Sequence, residues 1–130
     1  MKREIKFRGL KKDGQFAYGS LLSESAIGKW GNQEYYSYAD VAAETVGEFT
    51  GLKDKNGVDI YEGDIIKNYA GYKGVVLYKD GCFMMNDEPL CYDFSELEDD
   101  PFYSTEKWAE VIGNIHQHSE LLTPTPNDSI

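Results

Sequence analysis

Gly51-Leu52-Lys53-Asp54-Lys55-Asn56-Gly57-Val58-Asp59-Ile60-Tyr61-Glu62-Gly63-Asp64-Ile65-Ile66 is the stretch that decides how this chain folds. Asp54-Lys55-Asn56-Gly57 is a dense turn signal, because Asp and Asn bond nearby backbone and Gly accepts positive φ. Ile60 and Tyr61 follow as apolar anchors. Glu62-Gly63-Asp64 makes a second turn, and Asp64-Ile65-Ile66-Lys67 starts a strand. An acid placed just before a β-branched pair can accept bonds from turn amides, as at the start of a small-barrel strand. The stretch therefore reads as short β structure with frequent turns.

Toward the C-terminus, residues 73–79 form a strong strand, Asp80-Gly81 a two-residue hairpin turn, and residues 82–85 its partner. Residues 86–89 break the pairing and residues 90–94 resume it. Residues 95–100 read as an acidic loop or short helix, and residues 104–108 as a helical turn. Residues 110–115 close the sheet with Val111, Ile112 and Ile115 apolar. Residues 123–130 hold two prolines and little to bury, so they read as a disordered tail.

Toward the N-terminus, Glu4-Ile5-Lys6-Phe7-Arg8 alternates, which puts Ile5 and Phe7 on one face and Lys6 and Arg8 on the other. Lys12-Asp13-Gly14 supplies a hairpin turn. Residues 15–22 return as a second strand that buries Phe16, Tyr18 and either Leu21 or Leu22. Residues 23–32 contain Gly28 and Gly31 without a clear period, so they read as a loop that buries Trp30 or Ile27. Residues 34–38 and 45–50 read as extended, whereas residues 41–44 fit one helical turn or part of a strand equally well.

The expected fold is mainly β with one or two short helices. Six to nine short strands would make a small, partly open β-barrel or curled antiparallel sheet, with an SH3-like barrel element in the C-terminal half. The 130 residues fit one domain, placed at residues 1–122. A hydrophobic fraction of 41%, with ten Tyr and six Phe, is too high for a disordered chain.

No apolar run approaches the roughly 20 residues that a membrane-spanning helix needs. The start lacks the apolar core and cleavage site of a secretory signal, so the chain reads as intracellular. In that reducing setting Cys82 and Cys91 read as two buried thiols rather than a cross-hairpin disulfide.

The net charge of −10 is unevenly placed. Lys2, Arg3, Lys6, Arg8, Lys11 and Lys12 face only Glu4 among the first twelve residues, giving +5 there and −15 over the rest. A negative body of that size repels phosphate backbones, so duplex DNA is a poor partner. The basic start would pair with the acidic body or with a neighbouring subunit.

Candidate chemistry is sparse. His116-Gln117-His118 has a metal-like spacing, since residues i and i+2 of a strand point the same way, and Glu120 could add a third ligand. A real site needs three or four convergent ligands, so two partly exposed histidines at a strand end are the favoured reading. Asp54, Asn56, Asp59, Glu62 and Asp64 invite a calcium reading. It fails because Val58 stands where an oxygen ligand belongs and Gly57 comes too early. These acids read as turn and strand-start residues instead. Glu96, Glu98, Asp99 and Asp100 read as a solvated loop, with an acidic patch that mimics nucleic acid or meets a basic protein face as the alternative. There is no P-loop, dinucleotide-type glycine fingerprint, zinc-pattern cysteine set or nucleophile elbow. The expectation is a protein without cofactor or catalytic residues, whose interaction surface involves Lys2, Lys6, Arg8, Tyr61, Glu62 and Asp64.

The order of these segments resembles the YopX family of phage and prophage proteins. The resemblance starts at Arg3-Glu4-Ile5-Lys6-Phe7-Arg8 and is strongest over residues 45–57 and 60–66. It continues through Gly74-Val75-Val76 and closes with Val111-Ile112-Gly113-Asn114-Ile115 and Ser119-Glu120-Leu121-Leu122. Two departures stand out. Gly9-Leu10 occupies the place of a frequent Ala-Trp, and His116 and His118 fall at a variable position. The resemblance implies a phage-encoded protein of the bacterial cytoplasm with a mostly β fold, and it brings no catalytic residue. The expected function is that of a phage accessory protein acting through protein contacts, as a homo-oligomer or against a host or phage protein. The alternative is a nucleic-acid-binding small β-barrel module that uses the Lys2, Lys6 and Arg8 face.

Overall fold

Strands and tight turns account for most of the computed structural model, which describes residues 5–30, 36–68, 70–79, 81–85, 88–90 and 105–122. The chain falls into two compact units, Met1–Gly51 and Leu52–Ile130.

The first unit is an antiparallel sheet built from β1 (Phe7–Leu10), β2 (Phe16–Ser23), β3 (Ala26–Trp30), β4 (Tyr36–Asp40) and β5 (Gly47–Lys53), in the order β4-β3-β2-β1-β5. The expected opening hairpin forms, with Phe7 opposite Gly19 and Leu10 opposite Phe16. Gly14 takes a φ of 85° in its turn, and Asp13 Oδ1 accepts the Gln15 amide at 2.9 Å. The segment at 41–44 resolves toward helix, as a 3-10 turn over Ala43–Thr45. Thr45 fixes it to β1 by accepting the Leu10 amide at 2.8 Å and donating to the Ala42 carbonyl at 2.6 Å.

Three expectations fail in this unit. The stretch read as a loop at 23–32 contains β3, because Glu24 and Ser25 alone suffice to turn the chain between Ser23 and Ala26. Gly28 then sits in a strand, paired with Ser20 on one side and Tyr38 on the other. The expected sidedness of β1 is also reversed: Ile5 is 68% exposed, whereas Arg8 is 5% exposed. Opposite Arg8 stands Gly47, which has no side chain, so the long Arg8 stem can lie down on the sheet. Tyr18, Leu21 and Leu22 are exposed rather than core. The buried apolar residues are Ile27, Val41 and Phe49, with Thr45, Thr50 and Arg8 as buried polar companions.

The second unit takes in the end of β5, beside which lies β6 (Asp59–Tyr61). Its main sheet has β7 (Asp64–Lys67), β8 (Lys73–Lys79), β9 (Cys82–Met85), β10 (Glu88–Pro89) and β11 (Glu110–Asn114), in the antiparallel order β10-β9-β8-β7-β11. A short helix, α1 (Thr105–Trp108), precedes β11, and a 3-10 turn, Ser119–Leu122, follows it. The sheet ends at β10 and β11, so the described residues make no closed barrel. The described strands number eleven, more than expected, because β3, β6 and β10 form where the sequence reads as loop, anchor or break. Pairing resumes early after β9: Glu88 already lies opposite Met85, and Leu90 N donates to Phe83 O at 3.0 Å.

The core of this unit is Ile60, Ile66, Val76, Leu90 and Ala109, with Leu52, Phe83, Met85, Trp108 and Val111 packed around it. Ile60, Ile66, Val76 and Ala109 have no exposed surface, and burying each of the Ile and Val side chains is worth roughly 1.5–3 kcal/mol. The strand over 64–67 thus works as its turn chemistry predicts: Asp64 Oδ2 accepts the Tyr61 amide at 2.8 Å, and Gly63 takes a φ of 94° between them. Cys82 is a half-buried free thiol, not a fully buried one, and Cys91, the acidic run at 96–100 and the tail at 123–130 lie outside the described residues.

Candidate functional site

Residues directly opposite one another in an antiparallel ladder project to the same side of the sheet. In the first unit Arg8 is opposite Tyr18, Leu10 opposite Phe16, and Gly28 opposite both Ser20 and Tyr38. Alternation along β2 adds Phe16, Tyr18 and Ser20 to one side. One face of the sheet therefore carries Arg8, Phe16, Tyr18, Gly28 and Tyr38.

Gly28 leaves a gap in that face. A cavity of about 320 Å³ opens there, with Gly28 in its lining beside Phe16, Tyr18, Tyr38 and Lys11. Tyr18 is 52% and Tyr38 66% exposed, so both rings present surface to solvent. The Phe16 and Tyr18 rings lie 6.1 Å apart at 50°. Beneath them, Arg8 Cζ sits 4.2 Å from the Phe16 ring centroid, a cation–π stack that holds the Phe16 ring in place. Lys11 also lines the cavity, and its Nζ lies 3.6 Å from Asp13 Oδ2. Ring faces, a glycine gap and one cation are the chemistry of holding an extended or planar ligand.

Of the residues expected to form an interaction surface, three are interior within their own units. Lys2 lies outside the described residues. Lys6 is half-buried, with Nζ 4.6 Å over the Phe49 ring. Arg8, Tyr61 and Asp64 are corrected from surface to interior, at 5%, 3% and 2% exposure. Tyr61 and Asp64 are drawn inside because their turn is closed by the Asp64 carboxylate, and Glu62 remains half-buried within that turn. Asp54 and Asp64 act as turn and strand-start residues, as their positions predict. Asp54 Oδ1 accepts the Asn56 and Val58 amides at 2.8 and 2.9 Å, while Asp59 pairs with Lys53 at 2.6 Å.

The histidine pair stands in a turn rather than on a strand, which removes the geometric reason for two imidazoles to point the same way. His118 Nδ1 accepts the Asn114 amide at 3.1 Å, and His116 is exposed. Among the described residues no three His, Cys, Asp or Glu side chains converge as metal ligands. No helix among them is long and apolar enough to cross a membrane.

Sequence reasoning missed the groove. Phe16 and Tyr18 read as core because they alternate, and Gly28 read as a loop residue. The signal available was a glycine two residues from an aromatic, Trp30, inside a segment otherwise able to pair.

Two open antiparallel sheets, one with an aromatic groove, define a mainly β protein, with no closed barrel among the described residues. The chain belongs to the YopX protein family, whose model matches residues 6–123. It is similar to the crystal structure of protein EF1440 from Enterococcus faecalis, with a TM-score of 0.54 and 26% sequence identity over 93% of this chain and 99% of that one. No curated protein matches it.

Proposed function

We propose that this is a non-catalytic accessory protein of a phage or prophage, working in the bacterial cytoplasm through protein contacts, with the Tyr18–Tyr38 groove as its contact site. The observation that carries this reading is the pair of exposed tyrosines flanking Gly28 on one sheet face. Tyrosine is enriched at protein interfaces because it offers a large rigid ring and a polar tip at small entropic cost. The lining offers aromatic faces and a single ammonium, and no nucleophile paired with a base.

Single-stranded nucleic acid is the second reading, since exposed rings also stack bases. It is less well supported. Arg8 is buried, Lys11 already has a carboxylate neighbour, and the chain carries −10 overall. Sedimentation over a concentration series separates the two. The wild-type chain is expected to self-associate, and a Tyr18→Ser/Tyr38→Ser variant of unchanged circular dichroism is expected to be monomeric. Equal assembly of both proteins would remove the groove from the contact. Binding to oligothymidylate that collapses between 50 and 200 mM salt would replace the reading with the second one.

A further inference from the structure

We infer that β4 pairs edge to edge with β4 of a second copy of this chain, antiparallel and with the two-fold axis at Tyr38, so that two sheets of the first unit join into one. This rests on the reading above in one respect, that the chain binds a second copy of itself, and it names the surface that does so.

An uncovered edge strand presents unpaired N–H and C=O groups to any other strand, so proteins blunt their sheet ends. Four strands end the two sheets here, and three of them are blunted. β6 has three residues and β10 two. At β11 the hairpin after β5 stands in the way: Asp54 Oδ2 accepts the Val111 amide at 2.9 Å, and the Lys55 amide donates to the carbonyl of Ala109, just before the strand. β4 is different. It runs five residues, Tyr36-Ser37-Tyr38-Ala39-Asp40, without a proline or a basic residue, and it pairs with β3 without a register shift. Among the described residues nothing bonds to its far edge.

The ladder shows which groups that edge carries. The Val41 amide donates to Ser25 O at 2.9 Å, and continuing the β3–β4 register sets these two residues opposite each other as a hydrogen-bonded pair. Such pairs alternate with non-bonded ones. Ala39 and Ser37 therefore turn their N–H and C=O groups toward β3, whereas Asp40, Tyr38 and Tyr36 turn theirs outward. A second β4 laid antiparallel about Tyr38 puts Tyr38 opposite its own counterpart and Tyr36 opposite Asp40 of the other copy. Every outward N–H then meets an outward C=O. A slide of two residues either way carries Asp40 or Tyr36 past the end of the other strand.

Charge selects the same arrangement. Each copy carries −10, so a contact between two copies has to keep acids apart. Asp40 is the one charged residue of β4. In the antiparallel pairing the two Asp40 residues stand four positions apart along the strands, about 13 Å, beyond the screening length of about 8 Å at physiological salt. A parallel pairing would set Asp40 beside Asp40. The antiparallel one also brings the two Tyr38 side chains, each 66% exposed in the single chain, side by side on one face next to the Gly28 gap.

The experiment uses the full-length chain. In Asp40→Pro both tyrosines of the groove remain, the lost N–H is one that points outward, and the β3–β4 ladder keeps its bonds. This variant, at unchanged circular dichroism, is expected to self-associate at least tenfold more weakly in sedimentation equilibrium. Tyr36→Cys/Asp40→Cys sets thiols on Cα atoms about 5.5 Å apart across the axis, within disulfide range, whereas each single variant keeps its new thiol about 13 Å from its counterpart. Mild oxidation is expected to cross-link the double variant into a reducible dimer well beyond either single variant. Normal assembly of Asp40→Pro, or a double variant that cross-links no more than the singles, overturns the inference. If Tyr18→Ser/Tyr38→Ser dissociates while Asp40→Pro assembles normally, the groove remains a contact and only the edge pairing falls. If Asp40→Pro dissociates while the tyrosine variant assembles normally, the edge pairing stands and the groove leaves the contact. If neither variant alters assembly, both readings fall together.

Discussion

Asp54 and Val111 are 57 residues apart in sequence, and the Asp54 Oδ2 atom accepts the Val111 amide at 2.9 Å. The other oxygen of the same carboxylate closes the Asp54–Val58 turn. One side chain, 2% exposed, thus shapes a hairpin and fastens it to the first residues of β11. Two neighbouring bonds reinforce the junction: Lys55 N donates to Ala109 O at 2.9 Å, and Thr105 Oγ1 donates to Lys53 O at 2.8 Å.

Replacing Asp54 should therefore be among the most damaging single changes in the second unit. Asp54→Ala strands three amides, and with charge-assisted bonds worth about 1.5–3 kcal/mol each, and losses not additive, a net loss of roughly 3 kcal/mol is expected. Asp54→Asn keeps one acceptor oxygen but turns an amide donor toward either Val111 or the turn, so it should also lose stability, though less. Urea unfolding measures both, and an Asn variant as stable as the wild type would show that the carboxylate is not the organising group.

The fold was legible where local chemistry is self-sufficient. The Asp54–Gly57 and Glu62–Asp64 turns, the hairpins around Gly14 and Gly81, and the closing strand all follow from turn residues beside β-branched runs. What was not legible depended on partners distant in sequence. Nothing near Arg8 announces that Gly47 will stand opposite it and Phe16 above or below it, yet those two neighbours decide that Arg8 is buried. Likewise β3 is stabilised by pairing on both edges, which outweighs the weak strand preference of Gly28. The groove escaped for the same reason, since it exists only when three strands bring Tyr18, Gly28 and Tyr38 onto one face.

Gly9 stands where the chain leaves no room for a side chain. A β-carbon at this position would lie 2.7 Å from Val41 Cγ2 and 2.8 Å from Val41 Cβ. The nearer backbone end of Val41 cannot swing aside, because its amide is bound to Ser25 O at 2.9 Å. Gly9→Ala should cost about 1–3 kcal/mol, as overpacking does. In a Val41→Ala background the same change should cost much less, giving a coupling of at least about 1 kcal/mol in a double-mutant cycle. Additive effects would mean that the close approach is not what excludes the methyl group.

Asn114 closes the turn after β11 with both ends of its amide. Its Oδ1 accepts the His116 and Gln117 amides at 3.1 and 3.0 Å, and its Nδ2 donates to Gln117 Oε1 at 3.1 Å. Asn114→Ala should release this turn while leaving β7, β8 and β9 paired. Amide exchange at His116 and Gln117 is expected to rise about tenfold, corresponding to roughly 1.4 kcal/mol of local protection, with exchange in β8 unchanged. Faster exchange across the whole second unit would show that the turn is part of its cooperative core.

Thr45 offers the cleanest separation of a hydroxyl from its packing. Its Oγ1 holds the Leu10 amide and the Ala42 carbonyl at once, and the Ala42 amide in turn donates to Leu10 O at 2.9 Å, so the 3-10 turn and the end of β1 are joined at two points. Thr45→Val conserves shape and removes the hydroxyl, which strands the Leu10 amide at a site only 6% exposed, while the Ala42 carbonyl keeps its 2.9 Å bond from the residue-45 amide. The expected loss is about 1–3 kcal/mol. Thr45→Ser keeps both bonds and gives up only a methyl group, at roughly 1 kcal/mol. Thermal unfolding should therefore rank wild type above Ser and Ser above Val. If Val instead proved equal to or more stable than Ser, the anchorage of this turn would come from the methyl group and not from the hydrogen bonds.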